Sequence, residues 1–241
     1  MRVAVISDIH GNIHALEAVL QAVEKEAPDE VWCLGDLVGY GPRPNECCAG
    51  VAERAPLCLA GNHDLGVLGE LDLADFADDA AAAARWTREA LAPDARCYLE
   101  ALRPSALRPG VELYHASPRD PVWEYVLSGE AMVAALELTS EPVVLVGHSH
   151  VPIAFSSGHE LGYGPALGGA EADLSDQRWL LNPGSVGQPR DGDPRASYLV
   201  LDLERKRAWF HRVPYDLEIT QREIREEGLP DALALRLADG I

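Results

Sequence analysis

Aspartates, histidines and one asparagine recur in this chain as short clusters, each at the end of an apolar run. They are Asp8-Ile-His10, Gly35-Asp36, Gly61-Asn62-His63-Asp64, Tyr114-His115 and Gly147-His148-Ser149-His150. Imidazole nitrogens, carboxylate oxygens and an amide oxygen together form a donor set for borderline metals. A structural zinc site closes with four donors, so this longer mixed set suits two ions better than one. The spacing Asp-x-His on extended backbone would put both side chains on one face, because alternate residues of a strand point the same way. The same reasoning pairs His148 with His150. Asp36 carries two carboxylate oxygens and is the natural bridge between two cations.

If each cluster follows a strand, the ligands gather along one edge of a sheet. The apolar run before Asp8, Val3–Ser7, reads as a buried strand, and residues 12–27 place Ile13, Leu16, Val19, Leu20 and Val23 at helical spacing. Asn12 is the expected N-cap. Val31–Leu34 is the next strand, which makes a strand–helix–strand unit with a parallel pair. Asn45–Glu53 reads as a helix and Leu57–Ala60 as a strand. The Ala-rich stretch that follows predicts helices at about 74–91 and 94–102, within a cap-like segment at about 66–105 or as cover for a sheet.

Further strands are predicted at Val111–His115, Val143–Gly147, Ile153–Ser156, Trp179–Leu181, Tyr198–Leu203 and Ala208–Val213, the last two as a hairpin around Glu204–Arg207. Glu130–Leu138 reads as a helix, and so does the tail from Thr220 to Ala238, with a break at Gly228-Leu-Pro230. Residues 157–177, rich in glycine and without periodicity, read as a loop with at most an irregular hairpin. No repeat or linker divides the chain, so residues 1–241 are expected to form one domain.

Composition narrows the function classes. The chain has 241 residues, 39 acidic against 20 basic side chains, and a formal net charge of −19. Such a surface repels phosphate backbones, so a long nucleic acid is not an expected partner. A small phosphate compound remains possible because bound metals reverse the local sign. The five cysteines form no paired framework, and Cys33 and Cys58 fall within strands as buried free thiols. The first apolar run is too short for a signal-peptide core or a membrane span, so a cytoplasmic location is expected and no membrane partner. Nothing in the sequence specifies an oligomeric state.

The five clusters, in this order from residue 8 to residue 150, resemble the calcineurin-like metallophosphoesterases. Gly39-Tyr-Gly-Pro42, Asn182-Pro-Gly-Ser-Val-Gly-Gln-Pro189 and the C-terminal helices are similar to the small single-domain bacterial and archaeal members. The resemblance implies a four-layer α/β/β/α sandwich of two mixed sheets with its site at the strand ends. It implies Asp8, His10 and His150 on one metal, Asn62, His115 and His148 on a second, and Asp36 bridging. The ligand types permit iron, manganese, zinc, nickel or cobalt as the divalent or trivalent ions. His63 and Asp36 would be the catalytic residues, with Asn62 and His63 also facing the substrate phosphate.

The implied chemistry is hydrolysis of a small phosphoester, by a hydroxide bridging two ions about 3.5–4 Å apart. Asp64 would orient a neighbour or cap a turn. Arg190, in the loop Asn182–Arg190, is a candidate substrate contact and Arg195 a weaker one, with Asp191 and Asp193 as their competing partners. Asn182 and Ser185 would hydrogen-bond near the site or shape that loop. His14, His159 and His211 match no motif.

The sequence also departs from the family's protein phosphatases, which carry Gly-Asp-x-x-Asp-Arg-Gly. Here the stretch is Gly35-Asp-Leu-Val-Gly39-Tyr40-Gly41. Gly39 replaces the aspartate that partners the catalytic histidine, and Tyr40 replaces an arginine that grips phosphate. Less positive charge favours a phosphodiester over a monoester dianion. A dinucleoside polyphosphate hydrolase and a phosphomonoesterase are the alternatives within the class. A non-catalytic metal-binding interaction scaffold is the alternative outside it.

Overall fold

The computed structural model describes residues 1–156, 160–175 and 177–241. In chain order its elements are β1 (Arg2–Ile6), α1 (Ile13–Glu26), β2 (Glu30–Cys33), α2 (Pro44–Arg54), β3 (Leu57–Cys58), α3 (Asn62–Leu68), α4 (Asp78–Ala90), α5 (Pro93–Glu100), β4 (Ser105–Arg108) and β5 (Val111–Tyr114). They continue with α6 (Gly129–Glu137), β6 (Val143–Leu145), β7 (Pro152–Ser156), β8 (Glu160–Tyr163), β9 (Glu171–Asp173), β10 (Trp179–Pro183), β11 (Ala196–Asp202), β12 (Arg207–Val213), α7 (Leu217–Glu226) and α8 (Asp231–Asp239). Among the described residues, no helix is long and apolar enough to cross a membrane.

The strands form two six-stranded mixed sheets, ordered β3-β2-β1-β11-β12-β9 and β4-β5-β6-β10-β7-β8. β1 pairs parallel with β2 and antiparallel with β11, while β10 pairs parallel with β6 and antiparallel with β7. Alternation within the strands explains the layering. Val3 and Val5 of β1 and Leu199 and Leu201 of β11 face the other sheet, where they meet Leu113, Leu145 and Leu181. Ala4, Ile6 and Val200 face outward and are covered by Leu16, Val19 and Val23 of α1 and by Cys47, Cys48 and Val51 of α2. On the far side, Met132, Ala135 and Leu136 of α6 cover Val144 and Leu180. The result is the α/β/β/α sandwich. Strands covered on both faces account for the unbroken apolar runs.

Asn12 caps α1 by accepting from the Ala15 amide at 3.2 Å. α5 packs on α2 and α3, and α4 packs on α3. A separate apolar cluster joins Phe76, Ala80 and Ala83 to Ile224, Leu233 and Leu237 of the C-terminal helices, with Tyr40 among them. The five cysteines are free thiols.

Four elements differ from the sequence expectation. β4 is an edge strand with exposed side chains, so it has no apolar alternation to reveal it. The segment read as a loop holds β8 and β9, which do not pair with each other. β8 extends the second sheet beside β7, and β9 extends the first beside β12. Short edge strands such as these are specified by the hydrogen-bonding groups of a neighbour more than by their own propensity. Residues 157–159 and 176, including His159, lie outside the described residues. The fourth element, α3, begins at Asn62 itself.

Candidate metal centre

The strand ends are tied together by backbone before any side chain is considered. The Asp8 amide donates to the Gly35 carbonyl at 3.0 Å, and the Ile9 and His10 amides both donate to the Asp36 carbonyl, at 2.8 and 2.9 Å. The Val186 and Gly187 amides donate to the Ser7 and Asp8 carbonyls. The Ser185 hydroxyl donates to the Asp8 carbonyl at 2.7 Å. Asn182 donates to the Gly147 carbonyl at 2.8 Å and the Ser149 hydroxyl oxygen at 3.0 Å. Asn182 and Ser185 therefore shape the loops around the candidate ligands.

Neither Asp8-x-His10 nor His148-x-His150 lies on extended backbone. Asp8 has φ 56° and His10 φ 50°, and His148 and His150 have 60° and 61°. All four are left-handed, as is Asp36 at 55°. Their convergence comes from tight turns after the strands, in a backbone region that costs a non-glycine residue roughly 1–2 kcal/mol.

The structure brings all seven predicted ligands together. Single ligand atoms of Asp8, His10, Asp36 and His150 lie within 4.8 Å of one another, and so do those of Asp36, His115 and His148. The Asp36 Oδ2 atom is 3.6 Å from His10 Nε2 and 3.5 Å from His115 Nε2. It sits between the two groups. Asp8 Oδ1 is 3.6 Å from His150 Nε2, and Asn62 Oδ1 is 3.3 Å from His115 Nε2.

These donors fit metal ions on three grounds. First, both oxygens of Asp8 and Oδ2 of Asp36 are buried with no hydrogen-bond partner among the described residues, a costly arrangement unless a cation is there. Second, backbone carbonyls fix the imidazoles. His10, His115 and His150 direct Nδ1 at the carbonyls of Val38 (3.1 Å), Leu34 (2.8 Å) and Gln188 (2.6 Å). Donation there leaves each Nε2 as a lone pair aimed inward. Nε2 of His10 and of His150 then face each other at 3.0 Å, which a cation between them would reconcile. His148 instead turns Nε2 to the Trp123 carbonyl at 3.2 Å, leaving Nδ1.

Third, burial dominates the electrostatics. It pushes the Asp8 carboxyl up to about 7, against the opposing pull of His115. Burial, and then the neighbouring Asp64, raises Asp36. Burial also drives His10 and His150 well below the usual imidazole range, and His148 down to about 3. Neutral imidazoles are the ligating form.

Asp64 has a clear structural role. Its Oδ2 accepts from the Asp36 and Gly61 amides, both at 2.9 Å, and its Oδ1 from Leu37 at 2.9 Å and Val38 at 3.2 Å. One buried carboxylate thus fixes the turn that carries Asp36 and the start of α3.

His63 belongs to neither donor group. Its amide donates to Asp36 Oδ1 at 2.9 Å, and its ring packs between Tyr40 and Phe76, with centroids at 4.4 and 5.3 Å. Gly39 lies against this ring, where a Cβ would stand 2.6 Å from Nδ1. That nitrogen is buried and has no partner among the described residues. The glycine read as a missing aspartate is thus beside the atom that lacks a partner.

Arg190 does not pair with Asp191, which binds Arg212 instead. Its Nη2 donates to Gln188 Oε1 at 2.8 Å and to the Tyr40 hydroxyl at 3.2 Å, and its guanidinium lies 5.6 Å from the centre of the Tyr40 ring. Arg195 pairs with Asp193 at 2.6 Å. His14 pairs with Glu223 and His211 stacks on Tyr198, both apart from the ligand groups. Sequence reasoning missed Tyr125, half exposed and stacked on His148 at 4.1 Å, and Trp123. Two aromatics in an aperiodic stretch after His115 were the available signal.

The chain is similar to known proteins over nearly its whole length. The calcineurin-like phosphoesterase superfamily domain matches residues 1–206. The crystal structure of a metallophosphoesterase from Sphaerobacter thermophilus is 41% identical, covers 100% of this chain and 99% of its own, and has a TM-score of 0.91. An uncharacterized protein of Methanocaldococcus jannaschii is 36% identical over 98% of this chain and 96% of its own. A symmetrical bis(5'-nucleosyl)-tetraphosphatase of Psychromonas ingrahamii is 38% identical over 72 residues, 28% of this chain and 26% of that protein.

Proposed function

The chain belongs to the calcineurin-like phosphoesterase superfamily, and from that premise we propose that it hydrolyses a small phosphodiester at a dinuclear metal centre. One observation carries the reading: a buried, unpartnered Asp36 Oδ2 lies between two groups of imidazole and oxygen donors. Asp8, His10 and His150 would hold one ion, Asn62, His115 and His148 the other, and Asp36 both. When bound, such ions supply positive charge against phosphoryl oxygens and lower the pKa of water.

The chain's own groups do the rest. Asp64 and the carbonyls of Val38, Leu34 and Gln188 hold the donors in place, so little reorganisation is needed during reaction. His63, packed between Tyr40 and Phe76, has Nδ1 closed off by Gly39. Its other ring nitrogen is left to hold a phosphoryl oxygen or deliver a proton to the departing alkoxide. Arg190 is the side-chain cation closest to Tyr40, the position that bears an arginine in the family's protein phosphatases. It is already engaged by Gln188 and Tyr40, which suits the single charge of a diester.

The local match to a bis(5'-nucleosyl)-tetraphosphatase favours a second reading, hydrolysis within a dinucleoside polyphosphate. Initial rates of manganese-loaded protein on matched aryl phosphodiester and phosphomonoester substrates at neutral pH test the first. Faster diester turnover is expected. Faster monoester turnover would replace the reading with a phosphatase, and no turnover with both metals bound would replace it with a scaffold.

A further inference from the structure

We propose that Tyr125 and the apolar cavity bordered by Leu127, beside the metal centre, take an uncharged aromatic group of the substrate. This rests on the phosphodiester reading above and narrows its substrate class to esters that carry a flat ring system on one side of the phosphorus.

Exposure separates Tyr125 from the other aromatics of the site. Tyr40 and Phe76 are buried around His63, whereas Tyr125 is 50% exposed. Its ring nevertheless lies nearly parallel to that of the candidate ligand His148, with 23° between the planes and 4.1 Å between the centroids. One face is therefore taken by His148, and much of the rest of the ring is open to solvent. Leu127, two residues on, is also half exposed, while Val126 between them is buried in a cluster with Met132 and Ile153. Val126 pins this segment down, so that Tyr125 and Leu127 both present apolar surface at the edge of the metal centre.

Leu127 borders a cavity of about 300 Å³ together with Met132, Val151, Ile153, Arg190 and Asp191. Two of these residues tie the cavity to the donors. Val151 directly follows the candidate ligand His150, and the Arg190 amide donates to the His150 carbonyl at 3.4 Å. Arg190 Nη2 also donates to the Tyr40 hydroxyl at 3.2 Å, and the Tyr40 ring is 4.6 Å from the ring of His10. The cavity thus lies alongside the turn that carries His148 and His150.

The lining selects among possible occupants. Asp191 is paired with Arg212, and both side chains are almost wholly buried, so its charge is already met and a cationic group gains little there. A second phosphoryl group would face four aliphatic side chains with Arg190 alone to meet its charge, a costly desolvation. An aromatic group carries no charge to desolvate. It can lie against aliphatic walls and against the face of a guanidinium. The volume is at the lower end for small-molecule pockets and suits one ring system. Tyr125 offers the same group a stacking face, which is how proteins commonly hold bases and other flat rings.

The test measures binding of three ligands to the manganese-loaded protein by calorimetry: the methyl esters of phenyl-, cyclohexyl- and methylphosphonic acid. All three are monoanions shaped like a phosphodiester, so the methyl compound reports on the metal centre and the ratios to it report on the cavity. The phenyl ester is expected to bind about tenfold or more tighter than the methyl one and about fivefold tighter than the cyclohexyl one. Tyr125→Leu, which keeps an apolar cover over His148, should bring the phenyl-to-cyclohexyl ratio close to one, and Tyr125→Phe should retain it. Leu127→Asp should lower both the phenyl and the cyclohexyl ratio to the methyl ester. Equal affinity of the wild-type protein for all three ligands would overturn the proposal and leave the phosphoester site standing. So would equal weakening of all three by Tyr125→Leu, which would make Tyr125 only a support for His148. Cyclohexyl binding as tight as phenyl would overturn the preference for an aromatic ring. Failure of the wild-type protein to bind any of the three would overturn the phosphodiester reading as well.

Discussion

The interface between the two sheets and the strand ends above it are built from the same strands on opposite principles. Between the sheets, Val3, Val5, Leu113, Leu145, Leu199 and Phe210 are apolar and almost wholly buried. Beyond the strand ends, the buried atoms are carboxylate oxygens and imidazole nitrogens, several of them unpartnered. The backbone differs in the same way. Among the described residues, eight non-glycine residues have positive φ: Asp8, His10, Asp36, Tyr40, His148 and His150 are at the site, and Ala27 and Lys206 are elsewhere. Ala27 merely ends α1, and Lys206 turns the β11–β12 hairpin. The sandwich thus supplies the stability and the site consumes part of it, in strained turns and unmet charge.

The largest test of this division is Asp36→Asn. Its Oδ2 faces both donor groups, so an amide there should abolish turnover and lower occupancy of both metals by elemental analysis. Because this oxygen has no hydrogen-bond partner among the described residues, the fold should survive. Full activity, or loss of only one ion, would break the assignment of the bridge. His63→Ala separates chemistry from ligation. It should keep both metals and lose roughly 10²–10⁴-fold in turnover, the usual worth of a positioned acid or base. A missing ion in that variant would show that His63 is a ligand.

Much of this was legible in the sequence, for uneven reasons. The ligand types and their order showed the site, and strand runs buried on both faces stood out. The geometry was less accessible. Asp8 and His10 were expected to share a strand face, whereas left-handed turns bring them together. The weight of Asp64 was invisible because its four partners are backbone amides, which a sequence does not distinguish. β4, β8 and β9 were missed because edge strands lack apolar alternation.

Asp64→Asn sharpens the comparison further. An amide would turn one acceptor oxygen, which serves two backbone N–H groups, into a donor facing them. The loss should be about 3 kcal/mol of stability in urea unfolding. Leu201→Ala, between the sheets, should cost a similar ~2–5 kcal/mol by leaving a cavity. The two should part at the metals: Asp64→Asn weakens their binding, and Leu201→Ala does not. Equal metal affinity in both would mean that the Asp36 turn does not depend on Asp64.

The smallest expected effect tests the boundary between the regions. Glu223 on α7 accepts from Arg43 Nη2 at 2.7 Å and Nε at 3.2 Å, and meets His14 Nε2 at 3.1 Å. Arg43 follows the Tyr40 turn and donates its amide to Gly11, so this pair joins a C-terminal helix to the rim of the site. Hydrogen bonds from Arg43 hold the Glu223 carboxyl below its ordinary range, against a smaller push upward from burial. A carboxyl lowered in the folded state contributes stability above its unfolded pKa and loses it as pH falls through the folded value. Because Arg43 is well exposed, the pair should be worth only about 0.5–1 kcal/mol. Glu223→Gln should therefore lower the melting temperature by about 1–4 °C at pH 7, with the gap closing toward pH 3. A gap that persists in acid would mean that packing, and not charge, holds α7 in place. A loss of metal affinity in this variant would extend the site's support to the C-terminal helices, and the division drawn at the strand ends would have to move outward to include α7.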